Sequence, residues 1–272
     1  MACMFAEQTP NSEVPALVLD ILRPMIYFTT HTQLTRLLTR LTATAIYAAS
    51  ACCMLGFAAY AADVPALFVT PQSRWQSTLD EFAAADKAKK PSGRGVLFVG
   101  SSTIRMWKTM ISDFRDVPTI INRGYGGSTL EDSSHMVRQL VTQYQPSQVL
   151  VYAGENDLHE GRTPEQVLSS MKRLLSAVRA ELPGARITFI SIKPSPSRAA
   201  ILPAVRASNV LISDYLLTQY NADYIDVFTP MLGSGGKPRP ELFLPDMLHM
   251  NAAGYALWHG VIAPYVVQHM TP

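Results

Sequence analysis

Gly95-Val96-Leu97-Phe98-Val99-Gly100-Ser101-Ser102 is the stretch that decides the fold. Its first five residues form a short apolar run without polar alternation. That pattern marks a strand covered on both faces, and such strands belong to parallel sheets. Gly100 then permits a tight turn where a Cβ would crowd the chain. The two serines that follow stand at a helix start, among free backbone N–H groups. Taken alone, the motif is better explained by Ser101 or Ser102 merely capping the helix.

The flanking sequence repeats this strand-then-helix rhythm. Upstream, Arg74 to about Lys90 reads as a helix with Trp75, Leu79, Phe82 and Ala83 on one stripe, broken by Pro91-Ser92-Gly93. Downstream, further strands are predicted at Thr119–Asn122, Gln148–Tyr152, Arg186–Ile192 and Asp223–Phe228. Between them, one helix opens at the capping box Ser128-Thr129-Leu130-Glu131 and runs to about Tyr144. Another starts at Thr163-Pro164-Glu165-Gln166, with proline at its first position, and stops at Leu182-Pro183-Gly184. A third covers about Pro203–Tyr220, and a last one, capped by Asn251, continues to about Gln268. Five short strands separated by helices imply an α/β domain, a three-layer α/β/α sandwich around a five-stranded parallel sheet. Residues 63–272 read as one domain, without internal repeat or linker.

Residues 1–62 are of a different kind. Arg36 and Arg40 precede the uncharged stretch Leu41–Ala62, which Asp63 ends. Ala59-Tyr60-Ala61 fits the small-x-small rule of a signal peptidase site, so the stretch reads as an export signal cleaved after Ala61. The mature protein is then periplasmic or secreted. Two readings compete: an uncleaved anchor, since the stretch can cross a hydrocarbon core of roughly 30 Å, and a lipoprotein site at Ala49-Ser50-Ala51-Cys52. Met25 is an alternative start that would shorten the leader to a more usual form.

All three cysteines, Cys3, Cys52 and Cys53, lie in this leader, so the domain uses neither disulfides nor thiolate chemistry. The chain carries a net charge of +2 and no basic run longer than Lys89-Lys90, which argues against a nucleic-acid partner. Membrane contact is expected only through an uncleaved leader. Oligomeric state stays open.

In open parallel sheets, ligands bind beyond the carboxyl ends of the strands, and four features fall there. Ser101 and Ser102 follow the first strand. Asn122-Arg123-Gly124-Tyr125-Gly126-Gly127-Ser128 follows the second, and its glycines let backbone approach a ligand closely. Without a Lys-Ser/Thr pair this loop is no P-loop. Ala153-Gly154-Glu155-Asn156-Asp157 follows the third; Asn156 can present its amide to the same space as the Gly127 N–H. With the Ser102 N–H these make three donors for a developing oxyanion. In isolation, an Asx turn before Thr163 explains Asn156 better. Glu155, Asp157, His159 and Glu160 match no ligand spacing, so neither metal nor cofactor is expected. Last, Asp246-Met247-Leu248-His249 follows the fifth strand; a carboxylate three residues before a histidine reaches its ring if the segment makes one helical turn. Asp246 then holds the Nδ1 proton and leaves Nε2 to take a proton from a serine.

The ordered conjunction of these blocks resembles the SGNH hydrolase family, also called GDSL esterases/lipases. GVLFVGSSTIRMW is similar to its first block, INRGYGGST to its second, LVYAGEND to its third, and DMLHMNAAGYALW to the block that carries acid and base. The resemblance spans about residues 94–268. It implies a flavodoxin-like fold, a nucleophile at Ser102, oxyanion donors at Ser102, Gly127 and Asn156, and Asp246 and His249 as acid and base. It further implies hydrolysis of small-molecule carboxylic esters without a cofactor. One departure stands out: the family's Asp before the nucleophile is Ser101 here, so GDS becomes GSS. Acyl transfer to a sugar or alcohol, deacetylation of envelope carbohydrate, and a non-catalytic ligand-binding relative are the rival functions. Tyr125, Met106, Trp107 and Met247 are candidates for the pocket border. Lys193-Pro194-Ser195-Pro196-Ser197-Arg198, after the fourth strand, reads as a rigid loop or as contacts to an anionic leaving group.

Overall fold

The computed structural model describes residues 70–266, which lie in the unit Val69–Pro272. The leader, its cleavage site and the boundary at residue 62 lie outside the described residues. The last helix, expected to continue to about Gln268, ends at Ile262, and a short 3-10 turn (Ala263–Tyr265) leads to extended backbone at Val266.

The elements alternate as the sequence implies: α1 (Pro71–Arg74), α2 (Gln76–Ala88), β1 (Val96–Gly100), α3 (Ser102–Arg105), α4 (Met110–Asp113), β2 (Ile120–Gly124), α5 (Leu130–His135), α6 (Val137–Leu140), β3 (Gln148–Tyr152), α7 (Glu155–His159), α8 (Pro164–Glu181), β4 (Arg186–Ile190), α9 (Leu202–Leu217), β5 (Ala222–Ile225) and α10 (Ala252–Ile262). All strand pairings are parallel, in the order β2-β1-β3-β4-β5. From β1 the chain moves outward to β2 and then returns past β1 to β3. This reversal opens a crevice at the carboxyl ends of β1 and β3, where such sheets hold ligands.

The non-alternating apolar strands produce two cores, because successive side chains point to opposite faces. Leu97 and Val99 of β1, with Val149 and Val151 of β3, pack beneath α5, α6, α8 and α9. Val96, Phe98, Leu150 and Tyr152 face the other way, onto Ile104, Trp107, Phe114 and Trp258. Trp75, Leu79 and Phe82 lay the predicted stripe of α2 against the first core.

Several boundaries depart from expectation: β4 ends at Ile190 rather than Ile192, β5 covers Ala222–Ile225 rather than Asp223–Phe228, and the segment after β2 differs in two places. The cap of α5 is Thr129, not Ser128: its side chain accepts from Asp132 N, and Asp132 returns a bond to the Thr129 N–H. Ser128 instead donates its hydroxyl to the Tyr125 carbonyl at 3.0 Å and closes the glycine loop. The helix expected to reach Tyr144 breaks at Met136 and again at Val141, where the backbone leaves helical geometry (φ −129°, ψ −68°). By contrast, the Thr163/Gln166 capping box with Pro164 forms as read.

Candidate active site

β1 delivers Ser102 to the crevice. Gly100 runs at φ +149°, and a Cβ there would sit 1.8 Å from the Tyr152 carbonyl oxygen, so only glycine allows β1 and β3 to close together here. Ser101 N donates to that carbonyl at 3.1 Å. Ser101 takes the cap position of α3 but makes no side-chain capping bond. Ser102 is the first helical residue, and its Oγ lies 3.0 Å from His249 Nε2.

On the other side of the ring, His249 Nδ1 is 2.6 Å from Asp246 Oδ2. The segment between them is not the helical turn that the spacing suggested. Met247 has left-handed geometry (φ +54°), and Asp246 Oδ1 accepts from both Leu248 N and His249 N at 2.9 Å. This Asx turn brings the carboxylate back to its own ring without a helix, because Asp side chains compete well for nearby backbone N–H groups. The His249 hydrogen bond, aided by those two N–H donors, holds the Asp246 carboxyl down at about 2. An ionised carboxylate only accepts. The Nδ1 therefore carries the proton in the neutral ring, and Nε2 is left as the acceptor facing the Ser102 hydroxyl. Asp246 is half exposed, so the three groups lie at an open rim.

The glycine loop and the first turn of α7 meet at Ser128. Gly127 is left-handed at φ +79°, which turns the loop sharply before α5. Asn156 Nδ2 donates to the Ser128 carbonyl at 2.8 Å, and Arg198 Nη1 donates to Asn156 Oδ1 at 2.9 Å. Asp157 locks the same junction, since its buried carboxylate accepts from Leu130 N at 2.7 Å and Glu131 N at 3.2 Å. Burial pushes the Asp157 carboxyl up, against the lowering effect of those N–H groups.

A model of the GDSL-like lipase/acylhydrolase family matches residues 92–257. The chain belongs to that family. Ser101 stands where the family name carries an aspartate. No curated protein matches the chain in sequence. Solved structures share the fold of this GDSL-family chain. A GDSL-like lipase from Bacteroides thetaiotaomicron is 20% identical with TM-score 0.60, over 69% of this chain and 96% of that one. An acetylxylan esterase from Geobacillus stearothermophilus is 13% identical with TM-score 0.55, over 64% and 94%. A carbohydrate esterase family 3 protein from Talaromyces cellulolyticus is 19% identical with TM-score 0.52, over 64% and 96%.

Behind the rim lies a buried charged cluster that sequence reasoning missed. Lys193 Nζ donates to Glu155 Oε2 at 2.5 Å and to Ser195 Oγ at 2.7 Å, while Ser195 Oγ donates to Glu155 Oε1. Tyr152 OH adds a bond to Glu155 Oε2 at 3.2 Å. Burial lowers the Lys193 ammonium from its ordinary range, and Glu155 opposes that shift. Glu155 and Lys193 are far apart in sequence, and neither spacing nor composition marks them as partners. Lys193 is therefore not free to meet a leaving group, whereas Arg198, half-buried at the rim, borders the site.

Of the residues named for the pocket border, Tyr125 and Trp107 are core side chains. Met106 lines a cavity of about 550 Å³ together with Leu244, Met250, Tyr255 and His259. Ser102 and His249 are not in its lining, but Met106 is one helical turn after Ser102 and Met250 directly follows His249. Met247 is exposed.

Proposed function

We propose that this protein hydrolyses carboxylic esters through a covalent acyl-enzyme. His249 takes the Ser102 proton as Ser102 Oγ attacks the ester carbonyl, and the tetrahedral oxyanion is held by the N–H groups of Ser102 and Gly127 and the Asn156 amide. His249 then gives its proton to the leaving alcohol. Water, deprotonated by His249, releases the acid and regenerates Ser102. Asp246 keeps the ring in the productive tautomer and offsets the charge that forms on it. The observation that carries this reading is the unbroken series Asp246 Oδ2, His249 Nδ1, His249 Nε2, Ser102 Oγ, with separations of 2.6 and 3.0 Å.

Short acyl esters are the first substrates to try. Two fold relatives are named as carbohydrate-directed esterases, which makes acetylated sugars the leading class; the open rim supports it, since a polymer can reach Ser102 from solvent. The cavity beside Met106 and Met250 is the proposed seat of one side of the ester. Export by the leader, with or without cleavage near Ala61, would place the enzyme beside such polymers. A chromogenic acetyl ester assay, combined with mass-spectrometric mapping of a serine-directed phosphonate, tests the proposal. The label is expected on Ser102. Label on Ser101, or hydrolysis that survives Ser102→Ala, would overturn it.

A further inference from the structure

An asparagine amide has one acceptor oxygen and two N–H donors, and its function as an oxyanion donor depends on which way it faces. At Asn156 both choices are fixed. The oxygen receives an N–H from Arg198, a group with no lone pair to offer, and one amide hydrogen goes to the Ser128 carbonyl. Rotation by half a turn would set the NH₂ against a guanidinium and the oxygen against a carbonyl. The amide thus has one orientation, and its second hydrogen has no acceptor among the described residues. A cation on the oxygen also polarises the amide and strengthens that remaining donor.

The loop that carries this side chain is held from two directions. Lys193, Ser195 and Glu155 tie the loop after β4 to the residue immediately before Asn156. Ser197 N donates to the Met247 carbonyl at 3.0 Å, which joins the same loop to the turn between Asp246 and His249. Arg198 N closes the loop by donating to the Ser195 carbonyl at 3.0 Å.

We propose that Arg198 is a positioning residue of the oxyanion site, orienting and polarising the Asn156 amide. The proposal rests on the ester-hydrolase reading above. It predicts that Arg198 acts only through Asn156, which a double-mutant cycle can read. With the full chain and p-nitrophenyl acetate, R198M should lower kcat roughly tenfold, the loss of one charge-assisted bond supporting the transition state, with KM nearly unchanged. R198K, which restores a donor but not the planar fork, should recover part of it. N156A should cost on the order of 10²–10³ in kcat. Adding R198M to N156A should then cost almost nothing more. The rate of Ser102 phosphonylation, whose phosphoryl oxygen needs the same donors, should follow the same order, and matched thermal unfolding of all variants would set aside misfolding.

A loss from R198M that multiplies in full onto N156A, or one that falls entirely on KM, would overturn the assignment while leaving the esterase standing. Wild-type protein that neither hydrolyses the ester nor takes the label at Ser102 would remove the esterase reading, and this inference with it.

Discussion

Replacing Lys193 by Met probes the cluster that backs the site. The ammonium is 1% exposed and its partner Glu155 7%, so the substitution strands a carboxylate that water cannot reach. Breaking a buried ion pair in this way costs about 3–5 kcal/mol. Glu155 keeps the Ser195 and Tyr152 hydroxyl donors, which places this case near the lower end. For a domain of this size, about 3 kcal/mol corresponds to a melting-temperature drop of roughly 6–12 °C. The stranded carboxylate can escape by taking up a proton, so the folded variant binds a proton that its unfolded chain binds less readily. Its deficit should therefore shrink as pH is lowered. Converting Glu155 to Gln in the same protein removes the uncompensated charge while keeping the shape, and should restore most of the loss. Urea denaturation of wild type, K193M and K193M/E155Q at pH 5 and pH 8 measures all of this. A deficit below about 1 kcal/mol, or one equal in the single and double variants at both pH values, would show that the pair's charge is not what the fold depends on.

Three further outcomes follow from the geometry. Asp246→Asn should leave the fold intact but lower kcat on the order of 10⁴-fold, because an amide can hold the wrong tautomer; steady-state kinetics showing less than a tenfold loss would contradict the role given to Asp246. Glu131 is the second: burial alone would raise its carboxyl, but hydrogen bonds from Ser170, Arg173 and His135 outweigh this and hold it at about 2. Its folded value lies below the ordinary 4.5, so its contribution is complete above that pH and disappears as pH falls toward 2. The stability gap between wild type and E131Q should narrow over that window, and a constant gap in acid titrations would refute the network. Gly100→Ala should destabilise by on the order of 3–4 kcal/mol, since the new Cβ meets the Tyr152 carbonyl and the positive φ has no room to relax. Normal expression with unchanged melting would mean that β1 and β3 do not approach as described.

What the sequence made legible divides along a physical line. Strands buried on both faces declare themselves by short, mostly apolar runs without alternation: GVLFV and QVLVY became β1 and β3 nearly to the residue, and RITFISI became β4, which stops two residues early at Ile190. Parallel strands all point their carboxyl ends to one edge, which places Ser102 directly after β1; His249 reaches it across 147 positions from the long segment between β5 and α10, not from a strand end. Details within a turn were less readable, since alternatives there differ by a single hydrogen bond. The Asp246–His249 contact survives a change from helical turn to Asx turn, because both bring a short carboxylate back three residues. The capping box at α5 moved from Ser128 to Thr129, because Ser and Thr cap almost equally well and Asp132 was available to complete the second position. Hardest to see was the Lys193–Glu155 pair. A lysine in a proline-rich loop and a glutamate in an acidic one each read as solvated surface, and only closure of the sheet removes both from water. Once they are buried, the pair has to be complete or absent, which ties the loop carrying Arg198 to the first turn of α7, which carries Asn156. A chain that lost one member would thus be expected to loosen the proposed oxyanion site before it lost the contact between Ser102 and His249 at the open rim.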